Sequence, residues 1–265
     1  MNRLTLFGLG LGVLVVLTAL VGPQIGGLDP LAQSAADRLA APDAIHPLGR
    51  DTFGRDVLAR VVYAGRISLT VGVASVAVGG SLGTLLGLLA GYAGRWAESV
   101  LMRSVDVLMA FPSLLLGVAV LAVLGAGLEK MVLAIGLVLA GPFARLVHAG
   151  TLSLKGREFV VAARCLGAGQ ARILARHILP NLLGETVVLA SLLIASAIRI
   201  EASLSFIGLG VSPPTPTWGN MVRDGTQVLL AAPWLSVFPG VAILLTVLAF
   251  NLAGDGLRDL LDVRG

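Results

Sequence analysis

The sequence predicts an all-α polytopic membrane protein with six transmembrane helices. Three observations carry this. The 265 residues are 56% hydrophobic and only 13% charged, about half the charge of an ordinary soluble domain. The mean hydropathy is +0.92. The apolar residues also gather into long runs, near the length that a helix needs to cross a bilayer. Glycine is abundant, with 34 residues, which suits helices packed closely in lipid.

The first run, Leu4 to Val21, follows Arg3. It reads as a retained helix rather than a cleaved signal, because it is long and no small-residue cleavage pattern precedes Gly22-Pro23. Gln24 to Arg66 is rich in Pro, Asp and Arg, too polar for lipid, and reads as extracytoplasmic. Ile67 to Gly91 is the second span, closed by Gly91-Tyr92-Ala93-Gly94-Arg95. Ser99 to Leu124 is the third, with Asp106 and Pro112 inside it. Met131 to Val147 is the fourth, short and interrupted by Gly141-Pro142. Leu182 to Ile198 is the fifth and runs into Arg199-Ile200-Glu201. A Pro- and Gly-rich loop, Gly208 to Pro233, leads to the sixth, Leu235 to Leu252, and a short charged tail follows.

Between the fourth and fifth spans lies the longest polar, basic segment among the apolar runs, Thr151 to Asn181. Lys155, Arg157, Arg164, Arg172 and Arg176 stand there against one acid, Glu158. Phe159, Ala162, Ala163 and Leu166 fall at helical spacing on one face of a first short helix. Gly167-Ala168-Gly169 supplies a turn, since glycine adopts backbone angles that other residues avoid. Ile173, Leu174, Ile178 and Leu179 stripe a second helix, which Pro180 ends. A hairpin this small cannot bury both stripes alone and needs a partner surface. Six spans put both ends on one side, and the Lys and Arg bias assigns that side to the cytoplasm. Arg3, Arg95, Arg103, Arg145, the hairpin bases, Arg258 and Arg264 then lie inside.

Several function classes drop out. The net charge of +4 suits loops beside anionic lipid. The bases are scattered around the spans rather than gathered on one face, which argues against nucleic acid. A single cysteine, Cys165, excludes an internal disulfide and a Cys-based metal site. His46, His148 and His177 sit in three different segments, without metal-ligand spacing. No G-x-x-x-x-G-K-[ST] loop is present to cradle nucleotide phosphates, and no nucleophile elbow appears. The chain therefore reads as a non-enzyme that binds no cofactor of its own. Asp106 pairs most simply with Arg103, one turn away. Arg199 and Glu201, near the outer end of the fifth span, are candidates for solute contact or for snorkelling at the interface. Arg145 and His148 read as meeting cytoplasmic water. Pro213-Pro214-Thr215-Pro216 reads as a stiff loop that holds Trp218 at the membrane surface or against a partner. Cys165 reads as a small apolar filler.

The hairpin resembles the loop shared by membrane subunits of ABC importers, whose pattern is E-A-A, three residues, G, nine residues, I-x-L-P. Ala162-Ala163, Gly167, Leu179 and Pro180 match in register. Val161 stands where the glutamate is usual and His177 where isoleucine is usual; Glu158 lies one helical turn before Val161. His46 to Leu69, Glu201 to Gly225 and Ala249 to Asp262 resemble permeases of the dipeptide/oligopeptide/nickel group, and the long first loop resembles the C-type subunit. The likeness extends over nearly the whole chain from Leu28 onward.

The resemblance implies a type I importer fold. Residues 1–65 would form an N-terminal helix with an extracytoplasmic segment. Residues 66–256 would form the permease core around a coupling hairpin at 151–181, and 257–265 a cytoplasmic tail. It implies a homologous second permease, two ATPases that bind ATP and Mg, an extracytoplasmic solute-binding protein and alternating access in an inner membrane. Glu158, Ala162, Ala163, Arg164, Leu166, Gly167, Leu179 and Pro180 would form the ATPase-coupling contact. Arg199, Glu201 and Trp218 would be the pathway or binding-protein candidates. The cargo implied first is a short peptide, with nickel or a metal chelate as the alternative. An ATP-independent channel or scaffold is the alternative of another class, and the docking hairpin argues against it.

Overall fold

The structure is a computed structural model that describes residues 3–24 and 29–262. Arg264, counted above among the cytoplasmic bases, lies outside them. Among the described residues the regular structure is helical, save one isolated bridge between Arg50 and Asp56.

Helix α1 spans Arg3–Val21. Helix α2, Val57–Tyr92, starts ten residues before its apolar run, because the Asp56 carboxylate accepts the Ala59 N–H at 2.8 Å and caps it. Its 36 residues make a rod of about 54 Å, longer than the ~30 Å hydrocarbon core. The third span is not one helix. Helices α3, Arg95–Ala110, and α4, Ser113–Leu124, meet at 99°. Pro112 lacks the N–H needed to continue α3, and it holds Phe111 extended, at φ −83° and ψ 138°.

Two other prolines fail to break anything. Helix α5, Leu128–Leu154, runs unbroken through Pro142, so the expected interruption there is absent. Gly141 beside it leaves no side chain against Met109 of α3. After α6, Glu158–Cys165, come α7, Gln170–Ile173, a π turn, Leu174–Ile178, and α8, Leu179–Phe206. These last three form one continuous rod. Pro180 therefore opens α8 instead of ending the second hairpin helix. The wide π turn before it shifts the hydrogen-bond register where the proline has no N–H to give. Short helix α9 is Trp218–Thr226, and α10 is Trp234–Asp262. The segment read as a tail from residue 257 thus continues α10 as far as Asp262.

One interface orders the bundle. Gly79, Gly83, Gly87 and Gly91, each one turn apart on α2, lie against Gly136, Ala140, Ala144 and His148 of α5 in the same order. The two helices are therefore parallel. A Cβ on Gly79 or Gly87 would stand 2.6 Å from the carbonyl oxygen of Gly136 or Ala144, and one on Gly83 would collide with that of Ala140. Parallel neighbours require the chain to return between them, so the bent α3–α4 pair acts as one crossing and the passes number six. Helix α1 runs antiparallel to α10, with Gly8 on Leu252 and Thr5 on Gly256. The start of α1, the end of α10 and the hairpin consequently share one end of the molecule.

At the opposite end, residues 29–56 fold over the bundle with little regular structure. Asp51 sits buried between Arg55, at 2.6 Å, and Arg60, at 3.4 Å. Arg60 also donates to the Pro30 carbonyl at 3.2 Å. His46 Nδ1 lies 2.7 Å from Asp56 and its Nε2 lies 2.6 Å from Arg50, so the ring donates to the acid and accepts from the guanidinium. Asp43 is held below the usual carboxylate range by the backbone N–H groups of His46 and Ile45. Burial pushes Asp224 of α9 upward.

The ladder gives a position-specific expectation. Gly83→Ala should destabilise the purified protein by about 1–3 kcal/mol, because backbone carbonyls cannot yield as side chains do. Gly80→Ala, on the same helix, meets only ordinary contact with the Phe143 ring at 3.4 Å and should leave thermal stability in detergent near that of the wild type.

Candidate functional site

The hairpin is closed by a Schellman turn. Ala168 N–H donates to Ala163 O and Gly167 N–H to Arg164 O, both at 3.0 Å. Gly167 sits at φ +80°, with nothing within 4 Å of where a Cβ would be. The expected glycine turn is therefore present, and its demand for glycine comes from backbone torsion alone.

The apolar faces divide differently from the expected stripe. Val160 and Ala163 of α6 turn inward, with Val160 fully buried. Phe159, Ala162 and Leu166 turn outward, Leu166 being 89% exposed. Ala163 thus packs against its own chain instead of offering itself to a partner. Leu179 is also partly covered, and the stripe of the second helix is used internally. Val160, Ile173 and Ile178 close over Leu88 of α2, Val147 of α5 and Leu182 of α8. Glu158 and Val161 share the exposed face one turn apart, and Glu158 forms no ion pair among the described residues. Pro180 and Cys165 are exposed.

Polar contacts fix the hairpin to the end of α2. Lys155 Nζ donates to the Gly91 carbonyl at 2.9 Å, placing a cation on the negative end of that helix. The Arg164 guanidinium lies 5.7 Å from the centre of the Tyr92 ring and donates to its hydroxyl at 3.3 Å. Arg164 therefore braces the mount. Lys155 and Val160 lie within the expected hairpin, but their role as its anchors, and the part played by Tyr92 and the ends of α2 and α5, did not follow from the sequence; the Gly91-Tyr92 pair at the close of the second span was the available signal.

A second candidate surface lies on the flank formed by α3, α4, α5 and α8. The bend at Pro112 opens a cleft of about 560 Å³ bounded by Leu108, Phe111, Ser113, Pro142, Ser196 and Arg199. Just along α3 and α5 from it, Arg145 donates to Asp106 at 2.9 Å, with both side chains more than half exposed. Asp106 thus pairs across helices, and not with Arg103 as the sequence spacing suggested. His148 and Glu98, 3.0 Å apart, repeat the α5–α3 link. Charges exposed on membrane-spanning helices are costly in lipid, so this flank faces water or protein. The outward faces of α1 and α10 carry Leu4, Phe7, Leu14, Leu17, Leu244 and Leu248 instead and suit lipid.

Two of the three pathway candidates lie elsewhere. Glu201 is fully buried, accepting from Ser68 Oγ at 2.8 Å and Ser205 Oγ at 2.7 Å. It ties α8 to α2 and is turned away from the cleft. Trp218 is 3% exposed and donates its indole N–H to the Val61 carbonyl at 2.9 Å. It belongs to the core under α9 and does not stand at a membrane or partner surface. Arg199 remains, exposed on the cleft wall. Burial separated these residues, and the spacing of charges along a sequence does not encode it.

Residues 83–264 match the family model for the binding-protein-dependent transport system inner membrane component. The dipeptide transport system permease protein of Alkalihalophilus pseudofirmus is 42% identical over 261 residues, covering 98% of this chain and 86% of that protein. The glutathione transport system permease protein of Pectobacterium atrosepticum is 48% identical over 227 residues, 85% of this chain and 75% of that one. Among solved structures, an inward-facing conformation of the MetNI methionine ABC transporter superposes with a TM-score of 0.62 at 19% identity, covering 76% of this chain and 95% of that chain. At that identity the likeness concerns the fold.

The turn can be tested through its torsion. Gly167→Asn should be nearly neutral, since asparagine visits the left-handed region. Gly167→Val should cost roughly 1–2 kcal/mol and expose the hairpin to limited proteolysis. Equal protease sensitivity of the two variants would show that volume, not torsion, governs the position.

Proposed function

The chain belongs to the family of binding-protein-dependent transport system inner membrane components, and from that premise we propose that it forms one half of the pathway of an ATP-driven importer of di- and oligopeptides. It is a multi-pass inner-membrane transporter subunit and not an enzyme. Its partners in this reading are a homologous second permease, two ATPases that hold ATP and Mg, and an extracytoplasmic solute-binding protein. The dipeptide and glutathione names of its relatives favour peptide cargo over nickel.

The single observation that carries the mechanism is the outward face of α6. Phe159, Ala162 and Leu166 are apolar and exposed on a helix whose inner face is already buried. An ATPase surface covers that face, with Glu158 at its edge and Pro180 exposed nearby. Closure of the ATPases on ATP pushes α6. The push passes through Val160, Ile173 and Ile178 into α2, α5 and α8, of which α5 and α8 form part of the wall of the cleft. The pathway thus opens alternately to the two sides. The hairpin and both termini are cytoplasmic, and residues 29–56 are extracytoplasmic.

Reconstitution of the whole importer in proteoliposomes tests this. ATP-dependent uptake of alanyl-alanine without uptake of nickel is expected; nickel uptake alone would reverse the cargo assignment. Leu166→Glu should reduce co-purification of the ATPases by about a hundredfold or more, the effect of burying one unpaired charge in an interface. Unchanged co-purification would remove α6 from the contact.

Orientation has its own readout. Cys165 is exposed beside the turn. A membrane-impermeant maleimide should label it in inverted vesicles lacking the ATPases, and more slowly once they bind. Labelling from the outside of intact cells would invert the topology.

A further inference from the structure

We propose that Arg199 is a solute-positioning residue of this half-pathway, receiving the C-terminal carboxylate of a peptide as it crosses. The proposal rests on the peptide-importer reading above and names the group that guides the cargo.

Arg199 lies on α8 in the wall of the cleft opened by the α3–α4 bend. Its guanidinium offers five N–H donors. Its one hydrogen-bond partner among the described side chains is neutral, Ser196 Oγ at 3.0 Å. The carboxylates that could neutralise it are engaged elsewhere. Glu201, two residues on and therefore on the other side of the helix, is buried between Ser68 and Ser205. Asp106 holds Arg145. A positive charge is left without an acid in a cleft whose other polar side chains are the hydroxyls of Ser113, Ser196 and Ser203.

The chemistry that fits is a planar monoanion. A guanidinium matches a carboxylate through two parallel N–H···O bonds. Apolar walls such as Leu108, Phe111 and Leu139 lower the local dielectric and strengthen that attraction. The neighbouring hydroxyls accept or donate to the peptide backbone without fixing its sequence. One cation with no second charge clamping the same group holds a solute weakly enough to release it, as a pathway requires. Snorkelling would not call for this placement. A snorkelling arginine extends along lipid-facing surface to reach water, whereas Arg199 shares its flank with the exposed Asp106–Arg145 pair and lies away from the apolar outward faces of α1 and α10.

The test uses the complete reconstituted importer and alanyl-alanine, whose only anion is its terminal carboxylate. Arg199→Lys, Arg199→Gln and Arg199→Glu are compared for uptake and for co-purification of the other subunits. Uptake should stay within about threefold of wild type for Lys. It should fall about tenfold for Gln, the factor that a lost charge-assisted hydrogen bond carries, and fall further for Glu. All three complexes should assemble. Uptake by Arg199→Gln equal to wild type would overturn the proposal, as would Lys behaving like Gln. Loss of assembly in Gln and Glu would assign Arg199 to the contact with the second permease and also overturn it. A wild-type importer that moves no alanyl-alanine would overturn the peptide reading and this proposal together. Normal wild-type uptake beside an insensitive Gln variant would overturn the arginine's role alone.

Discussion

The backbone-to-backbone contact between α2 and α5 is the constraint on which the remaining structure depends. In lipid, apolar side chains gain little by meeting each other, because the tails around them are equally apolar. Association then relies on dense van der Waals contact and close approach. Glycines spaced one turn apart on α2 supply that approach, resting against the α5 carbonyls of Gly136, Ala140 and Ala144. The contact is parallel, which forces a return crossing between the two helices. That crossing is the bent α3–α4 pair, and the bend itself opens the cleft.

The same pair is the foundation of the hairpin. Leu88 and Val147 stand at its end, and Val160, Ile173 and Ile178 seat on them. Helix α8 leaves the hairpin without a break, because the π turn before Pro180 absorbs the missing N–H. Packed side chains and a continuous rod therefore connect α6 to α8, which forms part of the wall of the cleft. Lys155 on the Gly91 carbonyl and Arg164 over Tyr92 keep the hairpin from pivoting independently of α2.

Polar groups are sorted by face. Glu201 with Ser68 and Ser205 is satisfied inside, where an unpaired acid would be prohibitive. Asp106, Arg145 and Arg199 are exposed together on one flank, and the outward faces of α1 and α10 are left to leucine and phenylalanine. This partition separates an apolar outward face from a charged flank within a single subunit.

Much of this was legible in the residues. Long apolar runs identify the spans, because a helix in lipid must satisfy its own backbone polar groups. The Gly167 turn was legible because a left-handed position tolerates few side chains, and the basic hairpin stood out against its apolar flanks. The fate of each proline was not, since Pro112, Pro142 and Pro180 are chemically alike. Whether one breaks, bends or opens a helix depends on which neighbours replace the lost hydrogen bond. The division of α6 was not legible either: Phe159, Val160, Ala162, Ala163 and Leu166 are all apolar, and only the ends of α2 and α5 decide which are covered. Arg199 and Glu201, two positions apart, fall on opposite sides of α8 by its period alone, but which of them is buried was decided by the rotation of α8 against α2. Composition and local torsion, which act within a few residues, were thus determined by the sequence alone. Contact across helices depends on distances between remote segments, and the tertiary structure alone decided it.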